Sequence, residues 1–247
     1  MGSVNYKGIV IREVNTGEAD KIITVLTAEE GKISVAAKNA RRPKNSLSAG
    51  TQLFCFSDYM LFKGKELYNM SCCEVIEANY EIRNDIVKLT YCSHMLELIM
   101  DNVQEGEPSG RVLQLLLNTL YVIANTDRSP ELVTRVFELR LMALLGYEPH
   151  ILSCMKCNKT QEENMYFDLD NSGLVCGECV NLNGRVIPLL PGTVKALKYI
   201  MHISPQKLYS FSLSEDSVKE LGVISKKYIK EHLGKEYNKL DYLKHFK

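Results

Sequence analysis

Two Cys-x-x-Cys knuckles, Cys154/Cys157 and Cys176/Cys179, are separated by 18 residues. Two tight turns that each offer two thiolates match one tetrahedral zinc site, and the intervening length is what a hairpin needs to bring the chain back. Two redox pairs or four unmetallated thiols are the alternative. A four-cysteine zinc has no open coordination position for water or substrate, so the metal is structural and the activity must lie elsewhere. The remaining cysteines, Cys55, Cys72, Cys73 and Cys92, are scattered in apolar runs, as buried free thiols of a reducing compartment are.

No run of about 18 apolar residues is present, and the first seven residues lack the apolar core of a secretory signal. The expectation is a soluble, cytoplasmic protein with no membrane contact. The formal net charge is zero, but the charge is segregated. Residues 1–73 carry ten Lys/Arg against seven Asp/Glu, residues 74–184 eight against 17, and residues 185–247 twelve against six. Between Lys32 and Lys65 seven bases face one acid, Asp58, a local field that suits a polyanion.

Residues 5–78 read as strands. Residues 6–14, 20–27 and 32–38 carry β-branched or alternating patterns, and longer runs at 52–62 and 66–76 flank the hairpin signal Lys63-Gly64-Lys65. Five strands in so short a stretch fit either a small closed barrel or an ordinary antiparallel sheet. From Ile82 the apolar period changes to three and four, giving a helix to about residue 105 and a second over about 112–124. A third helix has Ser129 as N-cap, Pro130 at its first position and Gly146 at its close. Helices are also expected over 193–203 and 217–233, the last stopped by Gly234. The domains are therefore a strand-rich module at 1–78 and a helical domain at 79–247, with the metal-braced insertion at about 150–185.

The loop Lys38-Asn39-Ala40-Arg41-Arg42-Pro43-Lys44-Asn45-Ser46 is polar and partly stiffened by proline. Guanidinium groups bind phosphate oxygens in pairs, so Lys38, Arg41, Arg42 and Lys44 are candidate nucleic-acid ligands; a merely solubilising loop is the plainer alternative. Tyr6, Phe54, Phe56, Tyr59 and Phe62 could stack bases, although about half of such alternating positions must be core. No phosphate-binding glycine loop, His-Glu-x-x-His or nucleophile elbow is present, and none of the five histidines stands beside an arguable acid or nucleophile. Nothing supports an enzyme.

Read in order, these residues resemble the bacterial recombination mediator family RecO. The likeness runs through Glu18-Ala19-Asp20, the basic loop, Phe137-Glu138-Leu139-Arg140-Leu141, Leu145-Gly146-Tyr147-Glu148-Pro149, Gly173-Leu174-Val175-Cys176, Leu190-Pro191-Gly192-Thr193 and Leu240-Asp241-Tyr242-Leu243. It implies an α+β multidomain chain: a five-stranded OB-fold barrel, then a helical domain whose insertion holds one structural zinc ion. It further implies binding of single- and double-stranded DNA, annealing of complementary strands, and action with RecR to load RecA onto DNA coated by single-strand-binding protein. The family's DNA-contacting bases match Lys38, Arg41, Arg42 and Lys44, and Arg135 and Arg140 are the candidates for the carboxylate of the single-strand-binding protein's C-terminal tail. The acidic middle suggests that DNA tracks the two ends of the chain rather than wrapping it. A zinc-ribbon nuclease using Asp168 and Asp170, or a scaffold docking acidic tails, are the competing readings.

Overall fold

The computed structural model describes residues 2–246, with side chains through Leu243, so the side chain of His245 lies outside the described residues. The chain divides into two compact units, residues 1–124 and 125–247.

In the first unit, β1 (Ser3–Thr16), β2 (Asp20–Thr27), β3 (Lys32–Ala37), β4 (Phe56–Lys63) and β5 (Tyr68–Glu77) form one sheet. β1 is long enough to serve two neighbours: Ser3 to Ile9 pair with β4 and Gly8 to Thr16 with β2, across a bulge between Val10 and Arg12. Such a bulge bends a strand and sharpens its twist. A short parallel contact, Val35 with Tyr68 and Ala36 with Asn69, completes the order β1-β2-β3-β5-β4 and closes the sheet on itself. β3 shows the period-two logic most clearly: Ile33, Val35 and Ala37 are buried while Lys32, Ser34 and Ala36 are half-exposed. With Val10, Ile23, Val25, Tyr59, Leu61 and Met70 they fill the interior, joined by Ala40 and Leu47 from the loop after β3. Tyr59 satisfies its buried hydroxyl by donating to the Gly50 carbonyl at 2.8 Å.

The strand expected over 52–62 starts only at Phe56. Phe54 is fully buried with φ 68°, in the left-handed region, a conformation no strand continues. The turn is held from α1 (Tyr80–Asn84) and its approach: Asn79 donates to the Phe54 carbonyl at 3.0 Å and Arg83 to the Leu53 carbonyl at 2.8 Å. The helix expected from Ile82 is likewise two helices, because Asp85 accepts from the amides of Val87 and Lys88 and so caps a fresh start, α2 (Ile86–Asn102). α3 (Gly110–Asn125) follows. The α2–α3 connection is tied to the β2–β3 turn, Gly106 donating to the Glu30 carbonyl and Ser109 to that of Ala28, and Lys32 at the start of β3 donates to the Met100 carbonyl in the last turn of α2. These bonds group α1–α3 with the strands.

In the second unit, α4 (Pro130–Leu144) starts as its cap signals require, with the Ser129 hydroxyl accepting from Leu132. β6 (Met165–Asp168), β7 (Gly173–Cys176) and β8 (Val186–Leu189) form a sheet of order β7-β6-β8. Then come α5 (Pro191–His202) and α6 (Glu215–Leu233), the latter ending on Gly234 at φ 66°. α5 is capped from its neighbours at both ends. From α6, Glu220 accepts from the Leu190 amide at 2.9 Å and the Thr193 hydroxyl at 2.6 Å. From α4, Arg140 donates to the carbonyls of Ile200, Met201 and Ile203. An acid at the amino end and a base at the carboxyl end both complement the helix dipole.

Candidate nucleic-acid interface and metal centre

The loop after β3 is anchored by its small apolar residues and displays its charged ones. Ala40 is fully buried and Leu47 nearly so, whereas Lys38, Arg41, Arg42 and Lys44 are all exposed. Left-handed backbone at Asn39 and Lys44 turns the chain twice. The Asn39 amide donates to the Asp20 carboxylate at 2.6 Å, the Arg41 amide to the Ala19 carbonyl at 2.9 Å, and the Leu47 amide to the Asn45 side chain at 2.8 Å. Asp20, which holds this loop, carried no sequence signal of that role, because its partner lies 19 residues away. Arg41 makes a weak side-chain hydrogen bond of 3.4 Å to the Gly17 carbonyl, and among the described residues the other three cations make none. Among the described residues none of the four forms an ion pair. They form a cationic edge open to anions. Lys32, from the same basic run, is turned inward to Met100 and takes no part. Phe54 and Tyr59 are core, Tyr6 and Phe56 half-buried, and Phe62 exposed.

In the second unit the sulfurs of Cys154, Cys157, Cys176 and Cys179 all lie within 4.8 Å of one another, with Cys157 and Cys176 at 3.6 Å. A tetrahedral ion bound at about 2.3 Å by each sulfur spaces them about 3.8 Å apart, so the cluster is compatible with a structural metal. β7 delivers Cys176 beside the first knuckle, where its amide points at the Cys154 sulfur at 3.4 Å. Gly177 follows, where a β-carbon would come within 2.1 Å of the Asn164 side chain and force it to move. Two lysines tie the knuckles: Lys156 donates to the Cys179 carbonyl at 2.9 Å and Lys159 pairs with Glu178 at 2.5 Å. Burial opposes ionisation of Cys154, but amides of Cys176, Cys157 and Lys156 outweigh it and bring the thiol to about 6. Cys179, sharing its proton environment with Cys157 and Cys176, is pushed up to about 12. Four crowded thiols resist joint ionisation unless a cation sits among them.

Arg135 and Arg140 both face internal acceptors. Arg135 contacts both oxygens of Glu138 at 2.8–2.9 Å; that carboxylate is 2% exposed and also accepts from Ser225 at 2.6 Å. Arg140 caps α5 as described. Asp168 is spent on its own turn, accepting from the amides of Asp170 and Asn171, and Asp170 pairs with Arg185 at 2.6 Å. Both carboxylates of that pair are thus engaged by donors of the chain. A cleft of about 590 Å³ lies by the first turns of α4 and α6, with Leu132, Phe211, Leu213 and Val218 among its apolar walls and Arg128, Glu131, Glu215 and Lys219 among its charged ones.

The family model for the recombination protein O N terminus matches residues 1–79, and that for its C terminus matches residues 83–241. The chain belongs to the RecO family of DNA repair proteins. It is 48% identical to the DNA repair protein RecO of Acetivibrio thermocellus over 99% of this chain and 97% of that one. It is 33% identical to those of Alkaliphilus metalliredigens and Caldicellulosiruptor saccharolyticus, covering 98% and 100% of each chain respectively. Neither family description is that of an enzyme. Among the described residues no helix is long and apolar enough to cross a membrane.

Proposed function

We propose that this chain is a non-catalytic, cytoplasmic recombination mediator. It binds single- and double-stranded DNA, anneals complementary strands and, with RecR, helps load RecA onto DNA coated by single-strand-binding protein. The observation that carries the reading is the exposed set Lys38, Arg41, Arg42 and Lys44, free of ion pairs among the described residues, on a loop pinned to the sheet of a RecO-family chain. We take the closed five-stranded sheet as an OB-fold.

The loop's cations neutralise phosphates and read no bases, so binding is sequence-tolerant and weakens with salt. Neutralising two strands at once lowers the repulsion that slows pairing, and annealing then needs no nucleotide. The cysteine cluster suits zinc, held by Cys154, Cys157, Cys176 and Cys179, which would brace the second unit and supply no chemistry to DNA. For the tail of single-strand-binding protein, Arg135 and Arg140 are poorly placed because both are turned to internal acceptors; the cleft by α4 and α6, with its apolar walls, suits it better.

The test is to mix two complementary oligonucleotides precoated with single-strand-binding protein and follow duplex formation without nucleotide. Acceleration by the chain supports the reading, and an unchanged rate overturns it.

A further inference from the structure

The sheet's outer wall carries a feature that phosphate contacts do not use. Alternation along β4 sends Tyr59 and Leu61 into the core, fully buried, and turns Met60 and Phe62 outward, 37% and 40% exposed. At 40% exposure Phe62 keeps a substantial part of its apolar surface in contact with solvent.

Among the described residues its cross-strand partners are short and leave part of the ring open. Phe62 pairs with Ser3 on β1 and with Asn69 on β5, and Asn69 pairs in turn with Ala36 on β3. Ser3 and Asn69 are exposed and Ala36 half-exposed, so this row presents one aromatic ring among short side chains. Met60, one step along the same face, lies between Asn5 and Cys72, again without a bulky neighbour.

Cations stand on both sides of the row. Lys63 follows Phe62 directly, and Lys65 lies in the hairpin beyond it, where Glu66 is the one acid. On the other side, Ala36 is two strands away, about 10 Å, and Lys38 is two residues further, about 7 Å along β3. A strand running from Lys63 towards the basic loop would therefore lay its bases over Phe62. Paired with its complement and sandwiched between the neighbouring base pairs, a base inside duplex DNA has no free face to offer; a base of a single strand can turn one outward.

We infer that Phe62 is a base-stacking platform for single-stranded nucleic acid, distinct from the phosphate-binding loop. This rests on the DNA-binding reading above, and adds to it a surface that separates single strands from duplex. Base–aromatic stacking is sequence-tolerant and worth about 1–3 kcal/mol per base by alanine substitution, so the loss on removing the ring is about five- to 150-fold.

The experiment uses the full chain with three probes of equal length: oligo-dT, an abasic strand with the same phosphates, and a duplex. Phe62→Ala should weaken oligo-dT binding by at least fivefold, leave abasic-strand and duplex affinity within twofold, and keep the salt slope; Phe62→Tyr should restore oligo-dT binding. An unchanged oligo-dT affinity, or an equal loss on the abasic strand, overturns the inference. The Arg41→Ala/Arg42→Ala variant is run beside it. Failure of that variant to weaken any probe counts against the phosphate loop alone, whereas failure of Phe62→Ala to discriminate bases counts against the platform alone.

Discussion

The carboxylate of Asp20, the first residue of β2, accepts from the backbone amide of Asn39 at 2.6 Å. The bond fixes the point where the basic loop leaves β3. Asp20→Ala removes the acceptor, whereas Asp20→Asn keeps an oxygen in place; both delete the charge. The difference between the two variants therefore reports the hydrogen bond. We expect faster amide exchange over residues 39–47 in the alanine variant and about two- to fivefold weaker DNA binding than in the asparagine variant, the effect of about 0.5–1 kcal/mol. Equal exchange and equal affinity would contradict this role.

Arg135 is assigned to the core of the second unit by its contact with Glu138, whose side chain is 2% exposed. Removing one partner of a buried pair strands the other, at a cost of about 3–5 kcal/mol. Arg135→Ala should lower the stability of the unit by about 3 kcal/mol in denaturant titration, and Arg135→Met with Glu138→Gln should recover part of it. A stable Arg135→Ala protein that has lost an acidic peptide ligand would return Arg135 to the partner site.

Glu220 caps α5 from outside the helix. Glu220→Ala should cost about 1 kcal/mol, the usual loss of a capping acceptor, and Glu220→Gln less, because it keeps an oxygen but not the charge that favours the helix amino end. Identical melting of all three proteins would show that the cap contributes nothing.

Metal loss should act on the second unit and spare the first, since all four sulfurs belong to residues 154–179. Cys176→Ser, or chelation of the wild type, should remove one zinc per chain and lower the melting temperature. Because the basic loop belongs to the other unit, affinity for a short oligonucleotide should fall far less than metal content. Full metal content and unaltered melting in Cys176→Ser would refute the metal assignment.

Much of this was legible where the signal is local. Ser129-Pro130 at the start of α4, Gly234 at the end of α6 and the paired knuckles all act through neighbours within a few residues. The misses share the opposite property. Phe54 looks like strand by composition, yet its left-handed backbone is held by Asn79 and Arg83, 25 and 30 residues away from the carbonyls they bind. Pro188 by itself speaks against a strand, yet β8 forms at the edge of its sheet, where a missing amide is tolerated. Arg140 reads as a free cation until α5, some 60 residues on, supplies its acceptors. In the candidate interface the charges of the loop were readable, but the anchors Asp20, Ala40 and Leu47 were not, since only the closed sheet brings them together.

The central claim is that a cationic loop meets the phosphate backbone, and the salt dependence of oligonucleotide binding tests it most directly. The logarithm of the binding constant against the logarithm of salt concentration should be linear. Replacing Arg41 and Arg42 together with alanine should weaken binding to single strand and duplex alike and flatten the slope by about one for each lost contact. An unchanged affinity and slope in that variant would contradict the account.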